Sequence, residues 1–229
     1  MSSNPWALLE AREWEAALAA YTASWNNTGN REDLFNRALV LLNMRRWPEA
    51  MSDFEQCLSL GRSRGANAYE LVGAIHWLMG RQKEAVAWWQ SSLKADRPRW
   101  NQIARSPALL VYAGVKLGYE WLVMDGLKRL KGVWKPGHNP RWPGILPGMY
   151  LGEVSADRPE VYVSNLPVIG ERELCQAYFY TGVIALRNGD TALAAMRFRR
   201  AAALEGAVLE VEYHLAGAEV SDRPSSLLP

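Results

Sequence analysis

The chain has 229 residues, of which 49% are apolar and 22% charged, with 11 tryptophans and two cysteines. Those proportions exclude disorder along most of the length and a disulfide-stapled mini-protein. No stretch reaches the roughly 18 consecutive apolar residues that a membrane span needs. The formal net charge of +2 is unevenly spread. Residues 1–96 carry 10 basic and 11 acidic groups, 97–141 carry 9 and 2, and 142–229 carry 7 and 11. A basic middle between neutral and acidic ends is a steering field for an acidic partner.

At the start, MSSNPWALLEAREWE has no basic segment ahead of an apolar core, so no secretory signal is read. A cytoplasmic protein is expected, with Cys57 and Cys175 as buried, reduced thiols inside helical patterns. One domain over residues 1–220 is expected, followed by a polar, proline-bearing tail at 221–229.

Four segments align on a small residue near the start of a helix: REWEAALAAYTASW, RRWPEAMSDFEQCL, GRQKEAVAWWQSSL and GDTALAAMRFRRAA. Their anchoring alanines are Ala17, Ala50, Ala85 and Ala194, separated by steps of 33, 35 and 109 residues. The long step predicts a degenerate unit, which Pro107 to Leu130 supplies with Gly118 at its turn. Each unit reads as two antiparallel helices. In the second unit Leu34, Ala38, Leu41 and Leu42 share one face, and Ala50, Phe54, Cys57 and Leu58 recur at helical spacing after Pro48. Gly80, Gly118 and Gly189 fall at turns, where a left-handed residue ends the first helix. One such hairpin cannot bury its apolar face alone, so neighbours must stack into a solenoid.

The period near 34 residues, with aromatics in the first helix (Tyr69, Tyr178), small residues (Gly73, Gly182), turn glycines and anchoring alanines, resembles the tetratricopeptide repeat (TPR). The resemblance covers about two-thirds of the chain and implies an all-α solenoid that holds another protein. The stretch from Glu171 onward is similar to the last repeat of bacterial TPR adaptor lipoproteins, without their signal and lipidated cysteine.

Residues 132–170 interrupt the array with Pro136, Pro140, Pro143, Pro147, Pro159 and Pro167, which stop any long helix. A short helix over Ile145 to Gly152 is expected. The insertion either packs Trp134, Trp142, Ile145 and Tyr150 over an open face or contacts a partner.

No constellation for catalysis is present. His76, His138 and His214 stand alone, without a second ligand at metal spacing. Gly61 to Gly65 lacks the ending of a phosphate loop, and no GxSxG elbow occurs. Glu210 and Glu212 read as a solvated helix face, like Glu10, Glu13 and Glu15. No cofactor and no metal are expected, and the chain reads as a non-enzyme.

In TPR arrays the first helices line the concave surface, so the resemblance places partner contacts at Phe35, Asn36, Leu39, Glu70, Ala74, Trp77, Tyr112, Lys116, Gln176, Phe179 and Arg187. Phe35, Leu39 and Leu71 stand where a carboxylate-clamp TPR needs polar groups, so chaperone-tail recognition is disfavoured. Four tryptophans, Trp77, Trp100, Trp134 and Trp142, are not explained by the repeat and join the contact set with Arg99. Basic residues Arg97, Arg99 and Arg105 precede the fourth unit, and Lys128, Arg129, Lys131 and Lys135 end it. That cluster fits an acidic protein better than RNA, since a nucleic-acid domain ordinarily has a pI above about 9 and this chain's is about 8.5. The functional expectation is an adaptor or assembly factor. An immunity protein that blocks a cognate toxin is the alternative, and an RNA-binding helical repeat is the third.

Overall fold

The computed structural model describes residues 4–61, 65–94, 103–137 and 141–221. Arg97, Arg99, Trp100, His138 and most of the Gly61 to Gly65 and C-terminal tail segments lie outside the described residues. The architecture is an all-helical solenoid of antiparallel pairs. Its elements are α1 (Pro5–Glu10), α2 (Trp14–Thr28), α3 (Arg31–Asn43), α4 (Trp47–Ser59), α5 (Gly65–Leu78) and α6 (Gln82–Ser92). They continue with α7 (Arg105–Leu117), α8 (Glu120–Val133), α9 (Leu146–Leu151), α10 (Pro167–Arg187), α11 (Thr191–Ala202) and α12 (Val211–Val220).

The pairs α3/α4, α5/α6, α7/α8 and α10/α11 pack along their lengths, and successive pairs stack. One rule builds each crossing. The fourth residue of each second helix is an alanine in α2, α4, α6 and α11, and Ala17, Ala50, Ala85 and Ala194 are all buried. Four residues later an aromatic, Tyr21, Phe54, Trp89 or Phe198, fills the space below it. The partner helix is correspondingly small there. A methyl group on Gly73 would lie 2.4 Å from the Trp89 ring, and one on Gly182 would lie 2.9 Å from Phe198. The α7/α8 pair keeps the fit with other residues: Val123 stands at the alanine position, and Gly114 faces it, with room for no Cβ (2.7 Å to Val123).

Local chemistry sets the ends of these helices. Asn30 accepts from the Glu32 amide and Asp190 from the Leu193 amide, pairing N–H groups that the first helical turn leaves open. Gly80, Gly118 and Gly189 have φ of +75°, +69° and +84° at the turns. Arg12 and Arg45 adopt φ of 60° and 58° at the turns between α1 and α2 and between α3 and α4, where a side chain has an unfavourable left-handed conformation.

The insertion folds onto the array. The helix expected over Ile145 to Gly152 is α9, and Ile145, Leu146, Met149 and Tyr150 are buried. Trp142 is buried as well, its indole N–H donating to Gln176 of α10 at 2.8 Å. Cys57 and Cys175 are buried thiols, not joined in a disulfide.

Candidate protein-binding surfaces

The first helices of the pairs form one layer, and α12 lies across it. After α11 the chain turns through a short 3-10 segment, Glu205–Ala207, and returns so that α12 packs against α5, α10 and α11. Val211, Leu215 and Ala216 are its buried apolar side. At its start the Asn43 amide of α3 donates to the Val208 carbonyl at 3.2 Å.

Carboxylates fix this seat. Arg105 of α7 grips Glu212 of α12 with both ends of its guanidinium, at 3.1 and 3.2 Å. Tyr180 of α10 donates to the same carboxylate at 2.7 Å. Glu210, just before α12, accepts from Arg172 and Gln176 of α10, each at 2.6 Å. At the far end Glu219 accepts from Tyr112 and Lys116 of α7, each at 2.7 Å. Glu70 of α5 completes the inner cluster. It accepts from Ser106 at 2.6 Å, lies 3.7 Å from Arg105, and has one oxygen with no hydrogen-bond partner.

Electrostatics follow from burial. Arg105 is only 8% exposed and faces three carboxylates. Desolvation alone would lower its pKa, but Glu212, Glu70 and Glu210 hold it well above the ordinary value. Burial pushes Glu70 up to about 7, with the Arg105 charge and the Ser106 hydroxyl opposing. Burial likewise raises the Tyr112 and Tyr180 phenols, and the neighbouring glutamates add to it. His214 of α12 is pushed down to about 4 by burial, with Nε2 at 2.9 Å from the Val208 carbonyl. The arrangement binds carboxylates through guanidinium, ammonium, amide and hydroxyl donors. Among the described residues no group of three or more His, Cys, Asp and Glu could hold a metal ion.

Several expected contact residues are interior. Phe35, Glu70, Tyr112, Trp142 and Phe179 are 0–5% exposed, so they are not a free surface. Phe35 packs edge-on against Phe54, and Phe179 lies among Tyr112, Tyr180 and Phe198. Glu70 and Tyr112 do line the first-helix face, but α12 covers them. Glu210 and Glu212 are not the solvated face their spacing suggests: they are 3% and 0% exposed. Trp77 is half-buried, stacked on Trp89 and tilted against Tyr112, and Asn36 is half-buried with its Oδ1 buried and unpartnered. Arg187 is half-buried, donating to the Tyr150 carbonyl at 3.1 Å and lying over its ring. Trp134 donates to Glu153 at 2.6 Å, both within the insertion. Lys116 is exposed and pairs with Glu219.

A second surface is open. Leu122, Val123, Gly126 and Leu130 turn one side of α8 inward. On the other side Trp121 and Met124 are 60% and 56% exposed, with Tyr119 stacked against Trp121. Lys128, Lys131 and Lys135 continue the exposed side, while Arg129 pairs with Asp125 at 2.9 Å. The lysines were legible in the sequence. Trp121 was not, because its position in a degenerate repeat gave no register.

No protein-family model matches the chain, and no curated protein matches it. Among solved structures it is similar to the TPR2AB domain of yeast Sti1, determined as a complex with pHSP90. The identity is 15%, over 94% of this chain and 96% of that one, with a TM-score of 0.38. At those values the likeness decides neither site nor partner. No helix among the described residues is long and apolar enough to cross a membrane.

Proposed function

We propose that the chain is a non-catalytic protein-interaction module that takes an acidic helical segment of a partner protein on its first-helix face. The observation that supports this reading is α12 itself. A ten-residue helix with glutamates at its two ends is already seated there on Arg105, Arg172, Tyr180, Tyr112 and Lys116. The chemistry that holds it in cis is the chemistry that would recognise a partner helix of the same pattern. The basic, aromatic side of α8 supplies a further contact for an acidic protein, since aromatic and methionine side chains are the types that anchor interfaces. That combination favours an adaptor or assembly factor.

A tethered helix competes at an effective concentration on the order of millimolar, so a partner must displace α12 or meet a chain in which it is loosened. The test uses a labelled peptide of residues 204–221, titrated against the full chain by fluorescence polarisation. Replacing the buried Leu215 by alanine weakens the cis seat, and Leu215→Ala is expected to bind the peptide at least about tenfold more tightly than wild type. A peptide with Glu210, Glu212 and Glu219 all replaced by glutamine should lose about tenfold or more on the same variant. Equal binding of both peptides, or none to a folded variant, would refute the proposal.

A further inference from the structure

The cluster under α12 has an unbalanced charge. Glu70, Glu210 and Glu212 converge on Arg105, and among the described residues only Arg172, at the margin, adds a second cation. Glu210 and Glu212 have complete sets of donors from Arg105, Arg172, Gln176 and Tyr180. Glu70 does not. Its single hydrogen bond comes from Ser106, its second oxygen is orphaned, and it is 0% exposed. A buried carboxylate in surplus over its cations is relieved most simply by a proton.

We propose that seating of α12 takes up one proton at Glu70, so that the helix is gripped in acid and loosened in alkali. This rests on the first-helix face being the binding site and names its regulation. The proton sits where two of the three carboxylates belong to α12 and the third to the face beneath. Loss of the proton leaves a charge on α5 that repels Glu210 and Glu212. Removal of α12 exposes Glu70 to water and takes both repelling groups away. Rising pH therefore frees the face for a partner helix.

The groups bearing on Glu70 are few. Arg105 and Ser106 act from α7, and Glu210 and Glu212 from α12 and its start. Tyr180 faces the cluster from α10, and from α6 the Trp89 indole N–H donates to the Glu70 carbonyl at 3.1 Å. Burial lowers both His214, to about 4, and His76.

The sign follows from linkage. Glu70 has a raised pKa, about 7 against 4.5, when α12 is seated. The stabilisation is full below the ordinary carboxylate value and is lost as the pH rises through about 7. From those two values the seating equilibrium weakens about tenfold between about pH 6 and about pH 8.

Hydrogen exchange of the α12 amides in the full-length chain reads this directly, after correction for the intrinsic pH dependence of exchange. In the wild-type chain protection of residues 211–220 should fall about tenfold across that interval, while α11 changes little. Glu70→Gln, which keeps an acceptor for Ser106 but cannot ionise, should lose less than about twofold. The same slope in both proteins overturns the proposal. Should Glu70→Gln fail to fold, the carbon-13 resonance of the Glu70 carboxyl in the wild-type chain decides. A midpoint near 7 upholds it and an ordinary carboxylate midpoint overturns it. Peptide binding at one pH tests the site, so a peptide that binds beside a flat exchange profile defeats the proton step alone.

Discussion

Replacing Arg105 with alanine is expected to lower the unfolding free energy by about 3–5 kcal/mol, the ordinary consequence of removing one partner from a buried ion cluster. Arg105 is 8% exposed and, among the described residues, is the one cation in contact with Glu70, Glu212 and Glu210 together. Without it Glu212 keeps only the Tyr180 hydroxyl, and Glu70 only Ser106. These carboxylates must then ionise without compensation or take up protons. Protonation stabilises the variant in acid, so the loss should be larger at about pH 8 than at about pH 5. Urea unfolding followed by circular dichroism at both pH values checks this. A loss below about 1 kcal/mol would mean that the cluster is solvated, as an exposed ion pair is. Arg105→Lys should recover little, because an ammonium cannot reproduce the two-ended grip on Glu212.

Trp89→Ala should destabilise by a similar amount, about 3–5 kcal/mol, for a different reason. The side chain is fully buried, fills the space above Gly73, and stacks on Trp77 at 5.5 Å. Its indole N–H also satisfies the Glu70 carbonyl. The substitution leaves a cavity and weakens the hold on the helix that positions Glu70. Thermal unfolding should show a fall on the order of 10 °C for a chain of this size. A Trp89→Ala chain with an unchanged melting temperature would contradict the crossing rule that places this ring over Gly73.

The helix pairs were legible because their physics is periodic. A small residue four positions into the second helix and an aromatic four beyond it recur at Ala17 and Tyr21, Ala50 and Phe54, Ala85 and Trp89, and Ala194 and Phe198. Close packing of two helices demands that pairing wherever it occurs. Even the degenerate unit was placed correctly by Gly118, which the turn requires at φ +69°. The seat of α12 was not legible. Glu210, Glu212 and Glu219 look like any solvated acidic face, and their partners stand between 32 and 107 residues away in sequence. No local pattern reports that Arg105 is buried beneath them. The same blindness covers Tyr112 and Phe179 on first helices and Trp142 in the insertion, since an aromatic reads alike in sequence whether open or covered.

The claim on which the rest depends is that α12 lies on the first-helix face through its carboxylates. Carbodiimide coupling tests it most directly, because the reagent joins an amine and a carboxylate only when they touch. Lys116 Nζ and Glu219 lie 2.7 Å apart, with 34% and 11% of their side chains exposed. Peptide mass spectrometry of the coupled full-length monomer should find the Lys116–Glu219 amide, and it should vanish in Glu219→Gln. Coupling of Lys116 only to other carboxylates, or a Glu219 link found solely in dimers, would place α12 elsewhere and contradict the cis-held helix.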